Sequence, residues 1–123
     1  MSNEKNKINS LVGEPWEIPA SVSWYGTYVA IGGRELSKRL EELYLSGVRE
    51  VELILDVPGR RLGISGRIIY KRNKDRTYYY IYPKHPAQSL LRELYLKRRG
   101  NAEPYAKTPV PVVVVAIIPA RES

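Results

Sequence analysis

The chain states one pattern twice. Residues 27–45, TYVAIGGRELSKRLEELYL, return over 77–96 as TYYYIYPKHPAQSLLRELYL. Thr27, Tyr28, Ile31, Leu40, Glu42, Leu43, Tyr44 and Leu45 are matched by Thr77, Tyr78, Ile81, Leu91, Glu93, Leu94, Tyr95 and Leu96. The offset is 50 residues ahead of the helix-like stretch and 51 within it, so a single insertion aligns both blocks. A third block extends the match, because VREVELILDVP (48–58) and PVPVVVVAIIP (109–119) are both β-rich runs ending in an apolar residue and a proline. Each copy reads strand, turn, strand, helix, strand. Two copies are too few to stack as a solenoid. The expectation is an α+β fold in which two tandem ββαβ repeats, 16–58 and 64–119, pack about a pseudo-twofold axis as a barrel-like β core with two covering helices.

A chain of 123 residues makes one domain, expected over 14–123, that buries roughly two thirds of its unfolded surface. Residues 1–13, MSNEKNKINSLVG, are polar and aperiodic and predict a disordered tail. In repeat one, Trp16, Ile18, Ala20 and Val22 alternate, as do Tyr28 and Ala30 against Val29 and Ile31, which predicts a hairpin turning around Ser23 to Gly26. Leu36, Leu40 and Leu43 give an apolar helical stripe that Gly47 ends. Val48, Val51, Leu53 and Leu55 then make a half-buried strand. Pro58-Gly59 opens a linker that holds Arg60 and Arg61. In repeat two, 66–84 is a hairpin turning at Asn73-Lys74-Asp75, and Pro86 starts a helix with Leu90, Leu91 and Leu94 as its stripe. Gly100 ends it, 101–108 form a loop, and the unalternating run 112–118 predicts a central strand buried on both faces.

The two copies differ in charge. Residues 1–62 hold eight Lys+Arg against nine Asp+Glu, whereas residues 63–123 hold twelve against four. A cationic half on a near-neutral half points to a polyanion, above all nucleic acid; the bland alternative is a generally basic thermophile surface. The absence of Cys excludes disulfides, thiolate metal sites and a cysteine nucleophile. The longest apolar run, Val112 to Ile118, is seven residues, far below the ~18 of a membrane span. The expected location is cytoplasmic, without membrane contact. One Gln, many Arg and Glu, and prolines in the connections resemble a hyperthermophile's composition.

The segment Tyr80-Ile81-Tyr82-Pro83-Lys84 before the second helix, and the helix-Gly-strand step at Gly47, resemble the swapped-hairpin DNA-binding domain of AbrB-type regulators and many antitoxins. Two copies in one chain resemble the MraZ type. The resemblance implies two units interleaved into one barrel, with basic side chains near the hairpins on DNA. Repeat one departs from the pattern, with Gly32-Gly33 where Pro83 stands.

The candidate contact residues lie in repeat two. Strand alternation puts Tyr78, Tyr80 and Tyr82 on one face and Tyr79 and Ile81 on the other. Aromatics beside cations suit stacking on unpaired bases, although a tyrosine ladder is more often cross-strand packing. In the hairpin, Arg72 and Arg76 are expected to read bases while Lys71, Lys74 and Lys84 fix phosphates, with Arg67 in the same surface. Lys97, Arg98 and Arg99 form a second basic group that also complements the helix dipole. His85 lacks a catalytic partner, and Gly32-Gly33-Arg34 lacks the P-loop spacing, although it could bind one anion at a helix start. No catalytic residue, metal or cofactor is expected. The sequence thus points to a DNA-binding regulator, with duplex favoured over single strand or RNA. The alternative is a protein-interaction subunit or antitoxin-like adaptor that binds a partner, or a second copy of itself, through its Tyr-rich face.

Overall fold

The computed structural model describes residues 17–57, 59–99 and 109–120, the side chain of Arg99 excepted. The expected tail 1–13, Trp16, Pro58, Gly100 and the 101–108 loop lie outside the described residues. In chain order the elements are β1 (Ile18–Trp24), β2 (Val29–Gly32), α1 (Arg34–Leu45), β3 (Glu50–Val57), β4 (Arg60–Asn73), β5 (Arg76–Pro83), α2 (Ala87–Arg99) and β6 (Val110–Pro119).

The six strands close into one antiparallel barrel in the order β1-β2-β5-β4-β3-β6, with β6 returning to β1. Alternation along each strand sends every second side chain inward, and Val22, Ile31, Leu53, Leu55, Ile81 and Val114 are fully enclosed there. Burying each contributes about 1.5–3 kcal/mol. The seam between β2 and β5 is short and is marked by Ile31 directly opposite Ile81. The seam between β1 and β6 joins the first and last of the described strands, Ile18 facing Val114 and Val22 facing Val110.

Both helices bury one stripe. In α1 it is Leu36, Leu40 and Leu43, packed on β5 and β1. The helix ends as Gly47 takes φ 99, its N–H donating to Tyr44 O while the Val48 N–H donates to Leu43 O, the paired bonds of a Schellman motif. The Arg49 guanidinium adds a bond to the same Tyr44 carbonyl at 2.8 Å. In α2 the buried stripe is Ala87, Leu91 and Tyr95, packed on β1, β2 and β6.

Three expectations need correction. Arg60 and Arg61 belong to β4, because Val57 pairs directly with Arg60 and the alternation of Leu62, Ile64, Gly66 and Ile68 carries the strand through to Asn73. Leu90 lies outside the α2 stripe and is exposed; the helix starts at Ala87, one residue after Pro86, and Tyr95 takes the inward position against Trp24, with ring centroids 6.0 Å apart. The run in β6 is not a central strand buried on two faces, since a closed barrel has no centre. Val114 pairs with Leu55 and Ala116 with Ile54, which leaves Val115 as an extra residue, and this bulge makes 114–117 continuously buried.

Candidate functional site

The β4–β5 hairpin extends past the end of β3. The last β3 pair is Glu50 with Arg67, whereas β4 and β5 stay paired out to Asn73 and Arg76, closed by Lys74 and Asp75. Lys74 takes φ 56 there. Directly paired residues share a face, so the register sorts the basic side chains. Ile68, Tyr70 and Arg72 share the inner face with Ile81, Tyr79 and Thr77. The outer face carries the pairs Arg67–Tyr82, Ile69–Tyr80, Lys71–Tyr78 and Asn73–Arg76. Arg72 and Arg76, expected to read bases together, therefore lie on opposite faces of the ribbon.

The ribbon borders a cleft of about 710 Å³, lined by Tyr78 and Tyr80 of its outer face and by Thr77 and Tyr79 of its inner face. Its floor is made of short side chains on β1 and β2: Ser21, Ser23, Ala30 and Gly32. Tyr78 and Tyr80 of β5 line the cleft, as do Tyr25 and Tyr28 from the β1–β2 turn. The rim is cationic, with Arg34 and Lys38 from the first turns of α1 and Lys71 and Arg76 from the ribbon, against Glu41 as the one lining carboxylate. Two local features set α1 at this distance. Gly33 passes so close to β1 that a Cβ there would meet Pro19 O at 3.2 Å and Ala20 Cα at 3.3 Å, and the Ser37 hydroxyl accepts the Tyr79 N–H at 2.9 Å.

The tyrosines divide as alternation requires. Tyr79 is buried against Tyr44 and Tyr70, and burial pushes its hydroxyl above the usual tyrosine range. Tyr80 is raised for the same first reason. Tyr82 is exposed and its ring lies 5.5 Å from Tyr28, which in turn lies 5.2 Å from Tyr25.

The other candidate cations are elsewhere. Lys84 Nζ holds Glu50 Oε1 at 2.7 Å, and Arg67 reaches Glu50 Oε2 at 3.7 Å. The hydrogen bond from Lys84 is the main cause of a Glu50 carboxyl below its ordinary range. These two cations are thus partly neutralised at the foot of the ribbon. Lys74 sits at its tip. Lys97 and Arg98 are exposed on the last turn of α2 and do not line the cleft; the Arg99 side chain lies outside the described residues. In the sequence Arg34 stands out only at a helix start, and no local pattern marks Lys38, Tyr25 or Tyr28 as site residues. The available signal was the repeat itself, which aligns Tyr28 with Tyr78.

Among the described residues no group of His, Cys, Asp and Glu could hold a metal ion, and no helix is long and apolar enough to cross a membrane. Comparison with protein-family models, with characterised proteins and with solved structures gave no match.

Proposed function

We propose that this chain is a small nucleic-acid-binding protein, a DNA-binding regulator in kind, that grips its ligand with the outer face of the β4–β5 ribbon and the cleft beside it. One observation carries the reading: Arg34 and Lys38 from one half of the chain rim the same cleft as Lys71 and Arg76 from the other, beside Tyr78 and Tyr80. Cations drawn from separate elements to one aromatic-walled surface suit a phosphate backbone with bases near it.

The proposal includes a duplicated architecture of the AbrB or MraZ type, with two ββαβ units interleaved. Three correspondences support it. Ile31 and Ile81, partners in the sequence repeat, face each other. The Ser37 hydroxyl of α1 accepts from Tyr79 N in β5, and the Gln88 carboxamide of α2 accepts from Val29 N in β2; the repeat matches Ser37 with Gln88 and Val29 with Tyr79. Tyr44 stacks on Tyr70 as Tyr95 meets Trp24.

The test is a titration against duplex DNA, single-stranded DNA and RNA at two salt concentrations. If six phosphates are engaged on a duplex, log K falls with log salt at a slope of about −5. Charge reversal at Lys71 and Arg76 should abolish retardation that reversal at Arg67 and Lys84 only weakens. A second reading, a protein partner on the tyrosine face, draws on the exposed Tyr25 and Tyr82 flanking Tyr28. It takes over if no nucleic acid is bound at low salt.

A further inference from the structure

We propose that the cleft between α1 and the ribbon takes a single nucleic-acid strand, with unpaired bases against Tyr78 and Tyr80 and the backbone between Arg34 and Lys38 on one side and Lys71 and Arg76 on the other. This inference rests on the nucleic-acid reading above and narrows it. Two features of the cleft and one of the ligand carry it.

The first is size. A space of about 710 Å³ falls in the range that encloses small ligands, roughly 300–1,000 Å³. A duplex, whose major groove alone is about 12 Å wide, can only lie across the mouth. The second is the floor. Ser21 and Ser23 on β1 face Gly32 and Ala30 on β2 as direct pairs, so the sheet beside the tyrosines carries no bulky side chain. Small residues on two adjacent strands leave depth beside the Tyr78 and Tyr80 rings, whose centroids are 6.4 Å apart, and the serine hydroxyls offer uncharged donors and acceptors to base edges. The third belongs to the ligand. Paired bases present only their edges to a protein, whereas an unpaired base can lie flat on an aromatic ring, and that contact tolerates any sequence.

The experiment uses the full chain and fluorescence anisotropy with a labelled oligothymidylate, an oligouridylate of equal length and a blunt DNA duplex. Wild type is expected to bind one or both single strands at least as tightly as the duplex; the two arms tell DNA from RNA. Ser23→Trp fills the floor from an outward, half-buried position and should weaken strand binding about tenfold or more while duplex binding moves less than about twofold. Tyr78→Ala, which leaves the core intact, should cost about 5- to 150-fold for the strand, the range for losing one stacked base. Circular dichroism and melting verify folding of both variants, and Tyr78→Ala stands alone if Ser23→Trp does not fold. Folded variants that keep full strand affinity overturn the inference. So does a wild type that binds duplex and no single strand, although the nucleic-acid reading then survives. A wild type that binds none of the three probes ends both.

Discussion

Gln88 of α2 brackets Val29 of β2, accepting its N–H at 2.9 Å and donating to its C=O at 3.0 Å, while a second donation reaches Pro83 O at 2.9 Å. The side chain thus does for β2 what a neighbouring strand would do, at the point where the β2–β5 seam stops. Gln88→Leu removes all three bonds and leaves part-buried backbone groups without partners. Each such orphan costs about 1–3 kcal/mol, so a fall in melting temperature of several degrees is expected. Ser37→Ala, which removes one bond on the other helix, should cost less, and thermal melts of the two variants check the order.

Gly66 and Gly32 separate two kinds of glycine. A Cβ at Gly66 would meet Ile81 Cγ2 at 2.5 Å and Tyr82 O at 3.1 Å, whereas one at Gly32 meets only Tyr80 Cβ at 3.6 Å, an ordinary contact. Gly66→Ala is expected to destabilise by about 1–3 kcal/mol, as overpacking does, and Gly32→Ala to stay within about 0.5 kcal/mol of wild type as an undisruptive surface change. Denaturant unfolding measures both.

Much of this was legible in the residues. The repeat and its alternation predict all six strands and both helices, because inward positions in a barrel must be apolar and recur at every second residue. Two features were hidden by geometry that only closure supplies. The Val115 bulge makes a one-sided strand read as two-sided, and the α2 stripe runs through Ala87, Leu91 and Tyr95, which leaves Leu90 outside it. The candidate cleft was half visible. Lys71, Arg76, Tyr78 and Tyr80 are close in sequence, but Arg34 and Lys38 reach them only because β2 and β5 are neighbours in the sheet, a pairing about 50 residues apart that local patterns do not encode.

Lys74 pays for the turn with a left-handed backbone, a conformation costing a side-chain-bearing residue roughly 1–2 kcal/mol. Lys74→Gly relieves that strain, against a smaller entropic loss. The variant should melt no lower than wild type, and if Lys74 touches a phosphate its salt slope on duplex should shrink by about 0.9. Stability and affinity then move apart, which melting and anisotropy read separately.

Acid and alkali probe different tyrosine and carboxylate environments. Glu50 is depressed below its ordinary 4.5 by Lys84, so its contribution is present above that value and is lost as pH falls through its lower folded value. Glu50→Gln should flatten the acid limb of a melting-temperature profile below about pH 4.5. Tyr79 and Tyr80 are raised above 10.0 by burial, so their share is present below 10.0 and is lost as pH climbs through the raised values. Ultraviolet titration should show a late tyrosinate phase that Tyr79→Phe diminishes.

The seam at which Ile18 meets Val114 ties the start of the described chain to its finish. Trimming either side of the described chain into β1 or β6 opens the whole circuit of hydrogen bonds. Such long-range closure also makes assembly slow, since the ends must find each other before the enclosed side chains repay the search. A nascent chain therefore cannot close the barrel until β6 has emerged.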